Sequence, residues 1–155
     1  MDFENLAAIL DFAIAKELEA AEFYTDISKE AAFSGAGDMF KEFAAEERKH
    51  QQLLEDFKAK GPAASMQDYP FKWITDIKRS NYAVDLEYRP GMGYNDILML
   101  AMKREEKALQ LYNDFLDQAE SEESRTLFKV LCQEEAKHKL ALETMYDDYM
   151  AQMGD

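Results

Sequence analysis

Cysteine is nearly absent: Cys132 stands alone in 155 residues, so no internal disulfide can form and no Cys-x-x-Cys metal knuckle exists. Three prolines and six glycines leave few places where a helix must break. Basic residues are outnumbered, 18 against 32 acidic ones. The net charge of −14 argues against a nucleic-acid partner and against an anionic membrane surface. No apolar run is long enough to span a bilayer. The first residues, Met1-Asp2-Phe3-Glu4-Asn5, lack the basic-then-apolar pattern of a secretory signal. A reducing cytoplasm is the expected location, and an acidic surface by itself is ordinary solvation of helix faces.

What remains is rich in Ala, Leu, Glu, Lys, Met and Phe, with 47% of the chain apolar. That mixture favours helix over strand, and the length suits one domain with a substantial core. An all-α single domain over residues 1–155 is expected.

The chain repeats itself. Shifted by 88 positions it falls on itself without a gap: Leu10 meets Leu98, Ala13 meets Ala101, Tyr24 meets Tyr112, Phe40 meets Phe128 and Leu54 meets Leu142. Glu17 meets Glu105, Glu47 meets Glu135, and His50 meets His138, which uses both histidines of the protein. This is a duplicated helix pair.

Steps of three and four predict a first helix over about Phe3–Ala32, with a seam through Leu6, Leu10, Ala13, Glu17, Ala20, Tyr24 and Ile27. Ser34-Gly35-Ala36-Gly37 breaks it. A second helix over about Asp38–Lys60 carries Phe40, Phe43, Glu47, His50, Leu54 and Phe57 on its seam, and Gly61-Pro62 ends it. A third is predicted over about Tyr94–Ala119 (Leu98, Ala101, Glu105, Ala108, Tyr112, Phe115), and a fourth over about Ser124–Met150 (Phe128, Leu131, Glu135, His138, Leu142, Met145). Between the helix pairs, about 3–60 and 94–150, residues 61–93 are too long for a tight turn. They are expected to form a crossover along the bundle, with a short helix near Lys72–Lys78 and aromatic residues Trp73, Tyr82 and Tyr88.

The middle of each seam is acidic or imidazole where a core should be apolar. Positions i and i+3 share a helix face, so Glu47 with His50, and Glu135 with His138, point into the bundle together. Glu17 and Glu105 occupy seam positions on the other two helices. Folding brings four carboxylates and two imidazoles to one level of the core, and no Arg or Lys falls on these positions. Burying so many like charges is prohibitive unless something neutralises them. Two divalent cations balance four carboxylates. Oxygen and imidazole donors without thiolate suit iron or manganese, with zinc a possible substitute, and a Glu on two helices with Glu-x-x-His on the other two is a di-iron arrangement. One Glu-x-x-His is common on solvated helices, but two in register with two further seam glutamates are not.

Neighbouring positions are less specific. Glu46 and Glu134 also repeat, but lie off the seam, on the flank of the ligands. Ala20 and Ala108, one turn beyond Glu17 and Glu105, serve close packing or leave room for metals and a small oxidant. Tyr24 and Tyr112, two turns along the seam, can hydrogen-bond across the bundle to ligand carboxylates, supply an electron, or simply pack. The nine methionines and Cys132 read as core filler.

With these residues in hand, roughly residues 3–150 resemble the rubrerythrin and bacterioferritin branch of the ferritin-like superfamily. That resemblance implies a ferritin-like four-helix bundle holding two iron ions, with Glu47 and Glu135 as bridging ligands, Glu17 and Glu105 as terminal ones, and His50 and His138 binding one iron each. It implies reaction with hydrogen peroxide or dioxygen. Two departures stand out. The cysteines of an appended rubredoxin domain are missing, so an external donor, a rubredoxin or a flavoprotein, is expected to deliver electrons. Ala108 stands where rubrerythrins carry an extra glutamate, which brings the ligand set closer to the bacterioferritin pattern. The functions in play are therefore a peroxide or dioxygen reductase, a ferroxidase that handles iron, a non-catalytic metal-stabilised sensor or structural bundle, and an oxygenase of an organic substrate. A homodimer is the expected assembly.

Overall fold

The computed structural model describes residues 6–30, 35–60, 88–89 and 91–153. Four helices account for nearly all of them: α1 Leu6–Ser28, α2 Gly37–Lys60, α3 Tyr94–Gln118 and α4 Glu122–Met153. No strand occurs among the described residues. The proposed short helix near Lys72–Lys78, the aromatic residues Trp73 and Tyr82, and the helix start at Phe3 lie outside them.

Helix ends differ from the periodicity by a few residues, for local reasons. α1 stops at Ser28 rather than Ala32 because its last turn tightens: the amides of Lys29 and Glu30 donate to the carbonyls of Asp26 and Ile27, both at 3.2 Å. The Ser28 hydroxyl also takes up the Thr25 carbonyl, at 2.7 Å. α2 enters close against that end. A side chain at Gly37 would stand 3.2 Å from the Ser28 carbonyl oxygen, so glycine fits there with least strain. α4 starts two residues before Ser124 because Ser121 caps it. Its hydroxyl accepts from the Ser124 amide at 3.1 Å, and Glu122 and Glu123 complement the positive end of the helix dipole.

Two apolar clusters bracket the middle of the bundle. One joins the start of α1 (Ile9, Leu10, Ala13), the end of α2 (Leu53, Leu54, Phe57), the end of α3 (Tyr112, Phe115) and the start of α4 (Leu127, Phe128, Leu131). The other joins Tyr24 and Ile27 of α1, Phe40 and Phe43 of α2, Leu98 and Ala101 of α3 and Leu142 of α4. α1 therefore runs parallel to α4 and antiparallel to α2 and α3. The ends joined by residues 61–93 consequently lie at opposite ends of the bundle. Each cluster contains the sequence equivalents of the other, so the 88-residue repeat becomes an approximate two-fold rotation about the bundle centre. α1 packs chiefly on α2, and α3 on α4, whereas α1 and α3 touch at few places. No helix among the described residues is long and apolar enough to cross a membrane.

Candidate metal centre

Between the two apolar clusters lies a polar layer. Glu17, Glu47, His50, Glu105, Glu135 and His138 are all at most 3% exposed. α1 and α3 each contribute one glutamate to it, and α2 and α4 each contribute a Glu-x-x-His pair on one helix face.

Donor atoms of these residues gather into two groups of four, each lying within 4.8 Å of one another. The first is Glu17, Glu47, His50 and Glu135; the second is Glu47, Glu105, Glu135 and His138. Glu47 and Glu135 belong to both groups. His50 Nδ1 lies 2.8 Å from Glu135 Oε1, and His138 Nδ1 lies 2.6 Å from Glu47 Oε1, outside hydrogen-bonding geometry. The imidazole rings lie 5.8 Å apart and close to parallel.

Each Nδ1 thus faces the carboxylates, while each Nε2 faces outward to a flanking glutamate. His138 Nε2 meets Glu46 at 2.5 Å, and His50 Nε2 lies 3.6 Å from Glu134. A carboxylate behind Nε2 favours a proton there, so Nδ1 is the nitrogen each ring would offer to a metal in the layer. The terminal glutamates are held from the opposite half. The Tyr24 hydroxyl donates to Glu105 Oε1 and the Tyr112 hydroxyl to Glu17 Oε1, both at 2.5 Å. Burial and those same carboxylates push both tyrosines well above the usual phenol range, so their protons stay in place.

The electrostatics are those of a site built for added positive charge. Burial, and then the charge of neighbouring carboxylates, raises Glu17 and Glu135 well above the ordinary glutamate range. Burial opposes charging of Glu47 as well, but the close approach of Glu17 and of the two imidazoles holds it well below that range. Burial would strip the histidines of charge, yet the surrounding carboxylates outweigh it and raise both. Glu17 Oε2, both oxygens of Glu47 and Glu105 Oε2 are buried with no hydrogen-bond partner among the described residues. A native core leaves few such atoms. Hard oxygen donors at this spacing, with two inward-facing imidazole nitrogens and no thiolate, fit a pair of divalent transition-metal ions.

Three features go beyond the sequence pattern. The repeat of Glu46 at Glu134 marked both as flanking groups that could support the ligands, but not that Glu46 reaches across the bundle to the histidine of the other half. A cavity of about 330 Å³, lined mainly by α1 and α3, reaches Glu17, Glu47, Glu105 and Glu135. Only the small size of Ala20 and Ala108 hinted at it. On α4, the polar residues Gln133, Lys139 and Glu143 are buried, with Lys139 Nζ 3.8 Å from Glu143 Oε1 and 3.9 Å from Glu106 Oε2. Nothing in helical periodicity marks that side of α4 as interior.

Comparison with known proteins agrees with the geometry. The chain is similar to a hypothetical protein from Pyrococcus furiosus of known structure, with 25% identity and a TM-score of 0.66 over 93% of this chain and 89% of that one. No curated protein matches it. The sequence model of the rubrerythrin family matches residues 8–146, which span all six buried donors and most of the bundle. The chain belongs to the rubrerythrin family.

Proposed function

We propose that this protein is a non-haem di-iron reductase. It reduces hydrogen peroxide, or dioxygen, with electrons from a separate donor protein such as a rubredoxin or a flavoprotein, and works as a cytoplasmic homodimer. The observation that carries this reading is the membership of Glu47 and Glu135 in both donor groups. Two carboxylates common to both donor groups would let this chain hold two metals side by side, as a two-electron reaction needs. Glu17 and His50 complete one site; Glu105 and His138 complete the other. Iron held there would supply the redox equivalents and the Lewis acidity.

The residues around the site position and protect. Tyr24 and Tyr112 lock the outer carboxylates through their hydroxyl protons, and both line the cavity through which a small oxidant reaches the layer. Reduction of peroxide consumes protons, and these buried hydroxyls hold protons at the inner wall of that cavity. Glu46 fixes the ring of His138 from outside, while Phe43, its centroid 4.7 Å from that ring, closes the site on the α2 side. Metal uptake must displace protons from Glu17, Glu135 and the histidines, so affinity rises with pH.

The experiment is anaerobic loading with Fe(II), followed by stopped-flow absorbance on mixing with peroxide or with oxygen. Two irons per chain and much faster oxidation by peroxide are expected. Ferroxidase activity is the second reading, favoured by the matched donor sets of the two half-sites; faster oxidation by oxygen would select it. Failure to bind two irons would overturn both.

A further inference from the structure

The cavity between α1 and α3 is larger than its proposed oxidant requires. At about 330 Å³ it holds roughly ten times a water molecule's share of liquid volume, about 30 Å³. It falls within the size range of small-molecule pockets. Ala20 and Ala108 make this space. They sit one turn beyond Glu17 and Glu105, and their methyl groups leave a gap that longer side chains would close.

Its walls and rim differ in character. Phe12, Phe23 and Leu111 give an apolar lining. At the solvent end stand Lys16, Arg104 and Lys107, all exposed. Two of these cations rest against the aromatic walls, Arg104 at 4.5 Å from the Phe23 centroid and Lys16 at 5.4 Å from that of Phe12. Glu19 is the exposed acidic residue in the lining, and Lys16 pairs with it at 3.3 Å. Arg104 and Lys107 leave the rim positive on a chain whose net charge is −14. The inner end is formed by carboxylates that two divalent cations would neutralise.

We infer that this cavity binds a small organic monocarboxylate of about ten heavy atoms. Its carboxylate sits at Arg104 and Lys107, and its apolar body lies along Phe12, Phe23, Leu111 and the two alanines toward the metal-binding layer. This inference rests on the proposed metal site, because unneutralised carboxylates at the inner end would repel an anionic ligand. Peroxide alone explains neither the volume nor the cationic rim. A neutral apolar ligand would leave the rim without a role, and a cationic one would be repelled by it.

The test uses zinc-loaded protein, which is redox-silent, with bound zinc counted in the same sample. Octanoate, octanol and acetate are titrated into it calorimetrically. Octanoate is expected to bind one per chain, tighter than about 1 mM, with octanol at least fivefold weaker and acetate giving no saturable heat. Ala108→Leu, which fills the cavity, should weaken octanoate at least tenfold at unchanged zinc content. Lys107→Glu, at an exposed position, should weaken it about fivefold at low salt. Full zinc uptake without octanoate binding, or equal binding of octanoate and octanol, overturns the inference and leaves the metal reading standing. Failure to take up zinc overturns the metal reading and the inference with it.

Discussion

The two helix pairs of this bundle are near copies, and the places where they differ separate what the buried polar layer requires from what it tolerates. At the layer the correspondence is close: Tyr24 to Glu105 and Tyr112 to Glu17 both measure 2.5 Å, and each histidine turns Nδ1 inward. One step outward the copies part. Glu46 touches His138 at 2.5 Å while 44% exposed, whereas Glu134 stands 3.6 Å from His50, is 14% exposed, and is engaged by Lys137 at 2.5 Å. Burial pushes Glu134 up, but His50 and Lys137 outweigh it and bring it down to about 2. Two carboxylates of common origin therefore do different work: one braces a histidine directly, and the other divides itself between a histidine and a lysine.

The largest expected effect tests the identity of the inner layer. Glu47→Gln and Glu135→Gln should each reduce bound metal from two per chain toward one or none, with affinity falling more than the 10- to 100-fold typical of an outer partner. Metal analysis after equilibrium dialysis reads this out. Because both residues belong to both donor groups, the two variants should behave alike. A large difference between them would break the equivalence of the halves. The apolar clusters offer a parallel test. Leu54→Ala and Leu142→Ala remove equivalent, fully buried side chains from opposite clusters, and each should cost about 2–5 kcal/mol in denaturant unfolding.

The outer carboxylates should break the symmetry. Glu46→Ala is expected to weaken metal binding about tenfold or more, in line with other outer-partner losses. Glu134→Ala should do so about threefold or less, because its contact with His50 is longer and shared. Competition titration with a chromophoric chelator would decide, and equal losses would show that distance does not measure the bracing. Tyr24→Phe and Tyr112→Phe are expected to cost about 1–2 kcal/mol each and to match within error, since each leaves one buried carboxylate oxygen without its donor.

How much of this was legible beforehand follows from the same comparison. The bundle was legible because seam residues such as Leu10, Ala13, Phe40 and Leu54 recur after 88 positions at helical spacing, and periodicity reports the buried stripe of each helix. The layer of Glu17, Glu47, His50, Glu105, Glu135 and His138 was legible because polar groups on such a stripe are anomalous. Contacts between stripes were legible only in part: bonds from Tyr24 and Tyr112 across the bundle to ligand carboxylates were among the readings, and both form. Glu46 reaches His138 across the bundle, 92 residues away, through a side chain whose own helix position marks it as flank. Helix ends were missed by the reach of local hydrogen bonds: Ser28 and Ser121 act through hydroxyls that hydropathy patterns do not register. The burial of Lys139 and Glu143 depends on what packs around α4, which no single helix encodes.

The smallest expected effect concerns a position where the copies differ in residue but agree in burial. Cys132 and its equivalent, Ala44, are 7% and 6% exposed, so the repeat already holds alanine at a comparably buried site. Cys132→Ala should therefore change stability by less than about 1 kcal/mol, because it deletes one sulfur and a long contact to Asn113 at 3.7 Å. Burial pushes the thiol up to about 12. The thiolate is the reactive form, so at pH 8 the folded protein should resist iodoacetamide while the denatured chain is labelled promptly. Linkage runs the same way. With the folded pKa above its ordinary value of 9.0, this thiol adds no pH dependence below that value and lowers stability as pH climbs from there toward 12. Cys132→Ala removes that contribution, so the difference in stability between the two proteins should stay constant to about pH 9 and then shift in favour of the variant. Rapid labelling of folded protein at pH 8 would mean that α4 opens around this residue, and that the two copies differ in local stability where their burial is the same.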